Sequence, residues 1–227
     1  GAASSTELVT NGDFEAGSSS GWTVTTSRVS PTRVNWVIND GTVNPLYGPH
    51  GPSGPISGAY DALSLGNGGG WERLSQSVTL PSDIVSATIS WNDIIRSATA
   101  FEENPPGRVQ EFRVVLRDGA GALIAEVWST EPGDPPVQLG PNARSFDITA
   151  LAQTLEGQPV SLSIEQSQCC WHFNTNVDDV SFLVDTVSTK ADILAGSGVP
   201  GKGLEKAPGL QKEFNSKSKA ADNAGKK

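Results

Sequence analysis

The chain has 227 residues, a formal charge of −9, 36% hydrophobic residues, 25 Gly and 15 Pro. That length admits one large all-β domain or two small ones, and the turn-rich balance disfavours a helical protein. The acidic total argues against a nucleic-acid partner, which needs a basic face, and with no run of 18 apolar residues the sequence holds no membrane-spanning helix.

The opening "GAASSTE", in a chain without Met, reads as the start of a mature secreted chain after signal-peptide removal, or as a tag remnant at Gly1. Short apolar stretches then follow one another between turn residues. "TELVT", "GWTVTTS", "RVNWVI", "AYDALSL" and "WERLSQSVTL" occupy the first part of the chain. "IVSATISWNDII", "EFRVVLRD", "LIAEVWST", "RSFDIT", "VSLSIEQ" and "DDVSFLVD" occupy the rest. Several alternate with period two, as half-buried antiparallel strands do. In one, Phe112, Val114 and Leu116 share a side and Arg113, Val115 and Arg117 take the other. In another, Val160, Leu162 and Ile164 face in, with Ser161, Ser163 and Glu165 out. "RDGAGALI" reads as a hairpin turn. "DITALAQTLEGQ" reads as one helical turn capped by Asp147 or Thr149. The Pro- and Gly-dense stretch 44–58 cannot be a central strand and is expected to form a long surface loop, a candidate binding rim. The expected fold is all-β: a two-sheet antiparallel β-sandwich, or jelly roll, over residues 1–187, with an extended C-terminal tail over 188–227.

The tail is distinct in charge. All eight Lys lie within it, with four acids, so it carries +4. All eight Arg lie before it, against 21 acids, so the body carries −13. A cationic tail on an anionic body offers every copy a complementary partner. Lys202, Leu204, Leu210 and Phe214 are the expected anchors of such a contact. A head-to-tail contact of this kind propagates into a homo-polymer unless it closes into a ring. The leading expectation from the sequence is therefore an extracellular, self-assembling fibre or layer subunit.

Cys169 and Cys170 are adjacent. Their spacing does not suit a structural zinc site. A vicinal disulfide, bridges to other chains and two reduced thiols remain alternatives.

The two ends of the body carry a further signal. "ELVTNGDFEAGSSSGWTV" and "NTNVDDVSFLV" resemble the two ends of secreted galactose-binding-like jelly rolls of the carbohydrate-binding-module type. The resemblance covers residues 7–187. It implies that the Asp13 carbonyl, the Glu15 side chain and one of Asp178 or Asp179 hold a structural Ca2+. The chemistry agrees, since Ca2+ takes six to eight oxygens from carboxylates and carbonyls. The resemblance also implies a polysaccharide partner, bound by aromatic stacking. Among six Trp, Trp22 reads as core and Trp91 and Trp128 as buried in strands. Trp36, Trp71 and Trp171, with His172 beside the last, are the candidate sugar contacts. No nucleophile elbow, HExxH, P-loop or dinucleotide fingerprint is present, so the expected protein is not an enzyme.

Overall fold

The computed structural model describes residues 3–27, 35–45, 51–102, 110–169 and 171–187. Ser5–Thr186 form one compact unit. In chain order the strands are β1 (Ala3–Glu7), β2 (Thr23–Thr26), β3 (Trp36–Asn39), β4 (Asp61–Gly66), β5 (Gly70–Thr79) and β6 (Ile84–Ser97). β7 (Glu111–Asp118), β8 (Leu123–Ser129), β9 (Val137–Asp147), β10 (Pro159–Gln168) and β11 (Phe173–Val187) follow, with a single-turn helix α1 (Thr149–Thr154) before β10.

The strands form two sheets. The first runs β3-β4-β11-β6-β9, with β1 also paired to β11; the second runs β2-β5-β10-β7-β8. The ladders among strands β2 through β11 within the two sheets are antiparallel. The expected all-β sandwich is therefore the observed one. Neighbours in each sheet are mostly remote in sequence, which separates this topology from a simple meander.

Period-two alternation decides what enters the space between the sheets. Phe112, Val114 and Leu116 of β7 and Val160, Leu162 and Ile164 of β10 point into the core. They meet Ile89, Ile95, Phe173 and Phe182 of the opposite sheet. Full burial of each large side chain stabilises the fold by roughly 1.5–3 kcal/mol. At the β8–β9 side, Trp91 packs edge-on to Trp128 at 6.2 Å. The Arg144 guanidinium lies 4.2 Å over the Trp128 ring and binds the fully buried Asp93 at 3.0 Å.

The hairpin turn stands where expected, while the expected helix cap at Asp147 or Thr149 is corrected. Asp118 closes the β7–β8 hairpin, its carboxylate accepting from Ala120 and Ala122 N–H at 2.9 and 2.8 Å. At α1 the N-cap position holds Ile148, which has no capping group. Asp147, one residue earlier, accepts the Thr149 N–H at 2.8 Å instead.

The Pro/Gly-rich stretch behaves differently from a free rim. Residues 51–58 of it are strapped to side chains of the first sheet. Asn39 Nδ2 donates to the Ser53 carbonyl at 3.2 Å, Ser53 Oγ to Asn176 Oδ1 at 3.3 Å, and the Ile56 N–H to Asp61 Oδ2 at 3.1 Å. Asp61 is fully buried, and its desolvation pushes the carboxyl above its ordinary value; bonds from Asn39 and Asn176 oppose that shift. The reason is backbone accounting: a loop laid on a sheet must pair its N–H and C=O groups, and here polar side chains on outward strand positions do so.

Candidate functional site

Two places on the body gather the residues singled out in the sequence. The first is the junction of the "NGDFE" and "DDV" ends. Asn11 shapes the opening turn: its Nδ2 donates to the Ser18 and Ser20 carbonyls at 2.9 and 3.0 Å, and its Oδ1 accepts the Ala16 N–H at 3.2 Å. Phe14 is fully buried, tilted against Trp22 with ring centroids 5.7 Å apart. Trp22 Nε1 donates to the Asn11 carbonyl at 3.0 Å. Gly12 lies so close to β11 that an added Cβ would stand 1.9 Å from the Val180 carbonyl oxygen, and its own carbonyl accepts the Val180 N–H at 2.9 Å.

Both acidic ends grip one turn, Ser57–Tyr60. Glu15 Oε1 accepts the Ala59 and Tyr60 N–H groups at 2.9 and 3.1 Å. Asp178 Oδ2 accepts the Ser57 N–H and Oγ–H, both at 2.9 Å. Asp178 Oδ1 takes the Asp179 N–H at 2.8 Å, and Asp179 Oδ2 takes Asn92 Nδ2 at 3.0 Å. Asp13 Oδ1 accepts the Glu15 N–H at 3.3 Å. A bulge interrupts the β11–β6 register between Asp178 and Ser181. Asn11, Phe14 and Asp179 adopt left-handed φ of 51°, 53° and 52°, a strained conformation that clusters at functional sites.

Asp178 is fully buried, and desolvation, with the Asp179 charge adding, pushes its carboxyl up to about 6 despite bonds from Asp179 and Ser57. Burial disfavours the charged form of such a carboxyl. The donor chemistry of hard oxygens suits Ca2+. Among the described residues, however, no three His, Cys, Asp or Glu side chains gather as a metal-holding group. An ion held here by Glu15 and one of the paired aspartates would complete its shell from backbone carbonyls. Ser57 and Asn92, which position these acids, carry no sequence signal beyond being polar.

The second place is the end of the sandwich where β5 begins and β10 finishes. The β5–β10 register sets Ser167 opposite Trp71 and Gln168 opposite Gly70. Trp171 follows in the short connection to β11, so the fold brings Trp71 and Trp171 to the same end. Trp171 is 60% exposed, the most exposed large hydrophobic side chain among the described residues. Its neighbour His172 is partly exposed, and its carbonyl accepts the Ala98 N–H at 3.1 Å. Trp71 is half-buried, and the Arg73 guanidinium covers its ring at 4.2 Å.

Trp36 does not join them. It is 4% exposed and belongs to the core cluster, because it starts β3 on the inward register opposite Ser64. The expectation of an exposed platform at Trp36 is corrected by that inward phase. Cys169 is buried, with its N–H donating to Gln110 Oε1 at 3.2 Å. Cys170 and the tail anchors Lys202, Leu204, Leu210 and Phe214 lie outside the described residues.

On the outward side of the second sheet stands a group that sequence reasoning passed over. Glu165 is only 3% exposed although it points away from the core. Arg117 Nε and Nη2 bind it at 2.6 and 2.8 Å, and Arg113 Nε and Nη2 at 3.1 and 2.9 Å. Ser163 Oγ donates at 2.8 Å, and Arg73 Nε lies 3.1 Å away. Burial alone would raise the Glu165 carboxyl; the bonds from Arg117, Ser163 and Arg113 and the charge of Arg73 outweigh it and hold the carboxyl below its ordinary value. The signal was present in the alternation, which places all five residues on outward positions.

No family model matches the chain, and no curated protein matches it. Solved structures similar to it include TmCBM61 in complex with β-1,4-galactotriose, at 15% identity and TM-score 0.47, covering 78% of this chain and 97% of that one. The K3 cleaved adhesin domain of Lys-gingipain from Porphyromonas gingivalis matches at 15% identity and TM-score 0.47, covering 79% and 99%. A Stig cyclase, Fisc, from Fischerella sp. matches at 13% identity and TM-score 0.47, covering 82% and 100%. The three differ in activity, so the functional argument rests on this chain's own residues. No helix among the described residues is long and apolar enough to cross a membrane.

Proposed function

We propose that the body is a non-catalytic carbohydrate-binding domain that holds a polysaccharide at the Trp71–Trp171 end of the sandwich. The observation that carries this reading is Trp171, a large aromatic ring left 60% exposed on a short turn. An exposed indole presents a broad apolar face, and the apolar face of a sugar ring is a fitting cover for it. Ser167, opposite Trp71 on β10, offers a hydroxyl for hydrogen bonds to sugar hydroxyls. The buried acids Asp61, Glu72, Asp93, Asp178 and Glu165 are each held by N–H or O–H donors, which favours binding over acid–base catalysis. A Ca2+ at the Glu15–Asp178–Asp179 junction belongs to the same proposal as a structural ion, and an extracellular setting goes with it. The assembly reading keeps as its support the charge segregation between the Lys-bearing tail and the acidic body; the site residues favour the sugar reading.

The test is affinity electrophoresis and calorimetry on a panel of soluble polysaccharides. Trp171→Ala is expected to weaken binding roughly ten-fold, the equivalent of about 1.4 kcal/mol, without changing thermal stability. Unaltered binding by that variant, or no retardation by any polysaccharide, overturns the reading.

A further inference from the structure

We propose that Arg73, stacked on Trp71, forms an anion subsite on the outward face of the second sheet, taking the carboxylate or sulfate of an acidic sugar. This rests on the carbohydrate reading above and names the substrate class for the same end of the molecule.

The argument is a count of donors around Glu165. One carboxylate serves three guanidiniums. Arg117 spends Nε and Nη2 on Glu165 and Nη1 on the Gly121 carbonyl at 3.0 Å. Arg113 spends Nε and Nη2 on Glu165, and its Nη1 faces Glu111 and Glu126 at 3.7 and 3.9 Å. Both are committed within the protein. Arg73 is not. Its Nε stands 3.1 Å from Glu165 Oε1 without a hydrogen bond to it, and no hydrogen bond or ion pair among the described residues engages its Nη1 or Nη2. A guanidinium offers two edges for bidentate recognition. Here the Nε edge leans on Glu165, and the Nη1–Nη2 edge is left over.

The surroundings hold that edge in place. The Trp71 ring covers one face of the guanidinium at 4.2 Å, a cation–π contact that fixes its plane. Its cross-strand neighbour on β2 is Thr25, an exposed hydroxyl, and Ser75 follows on β5. The side chain is 30% exposed, partly desolvated yet reachable. Glu165 lies against all three guanidiniums, and Glu111 and Glu126 face Arg113. Trp71 is therefore less a stacking platform than a support for Arg73, and Trp171 at the same end remains the ring-stacking surface. A sugar bearing a carboxylate or sulfate can use both.

The experiment compares, at one fixed ionic strength, polygalacturonate, its methyl-esterified form, a sulfated galactan and neutral β-1,4-galactan by calorimetry. The expected result is at least ten-fold tighter binding of polygalacturonate or of the sulfated galactan than of the esterified and neutral chains; which acid wins identifies the source of the anion. Arg73→Lys keeps the charge but loses the fork, and is expected to remove most of that preference while leaving neutral-chain binding unchanged. Equal binding of acidic and neutral chains by the wild type, or an undiminished preference in Arg73→Lys, overturns the subsite. If Trp171→Ala abolishes binding while Arg73→Lys is silent, the subsite fails and the carbohydrate reading stands.

Discussion

Glu165→Gln is the sharpest probe of how this sandwich is held together. The substitution keeps the shape of the side chain and removes its charge, leaving Arg73, Arg113 and Arg117 around a neutral amide. Removing one partner of a buried ion pair costs about 3–5 kcal/mol. The three guanidiniums retain between 12% and 30% exposure and can recover hydration, so the lower end applies. A loss of about 3 kcal/mol in a domain of this size lowers the melting temperature by roughly 6–12 °C. The pH dependence has a definite sign. The Glu165 carboxyl is held below its ordinary value in the folded state, so the unfolded chain binds more protons in acid. Its contribution is full above the ordinary glutamate range, near about pH 4.3, and is lost as pH falls through the lower folded value. The gap between wild type and Glu165→Gln, followed by urea denaturation at neutral pH and at about pH 3, is expected to narrow in acid. A variant melting within about 2 °C of wild type at neutral pH, or a gap of equal size at both pH values, refutes the reasoning.

Two further outcomes follow from the other residues. Calcium is expected to raise the melting temperature, since an ion bound only by the folded chain stabilises by about 2.7 kcal/mol at a hundred-fold excess over its Kd. Gly58→Ala is expected to abolish that gain, because at φ +55° its added Cβ stands 2.2 Å from Glu15 Oε1; a wild type whose melting curve ignores calcium removes the ion from this junction. Trp36→Ala is expected to cost about 3–5 kcal/mol by opening a core cavity, while the folded fraction binds polysaccharide as before; a selective loss of binding would place Trp36 in the ligand site after all.

Alternation along "FRVVLRD" and "VSLSIEQ" fixed which side chains face the core, because a strand has only two faces and one of them is dry. The turn at Asp118-Gly119 and the helical turn after Asp147 were equally local, decided by residues within four positions of one another. The pairing of the "NGDFE" and "DDV" ends was legible through resemblance, but not the Ser57–Tyr60 turn that both acids grip. That turn lies in a Pro/Gly-rich stretch whose sequence announces a free loop, and the polar side chains that strap it come from β3, β4 and β11. Trp36 was misplaced for a related reason. One residue of phase on a short strand decides between water and core, and four residues of β3 are too few to show the phase. Glu165 shows the limit most clearly. Its outward direction was readable from its own strand, while its burial came from arginines on β5 and β7, 48 to 92 positions away in the chain. Local chemistry set directions along each strand; only the order of strands in the sheet decided which charges, rings and loops those directions would meet.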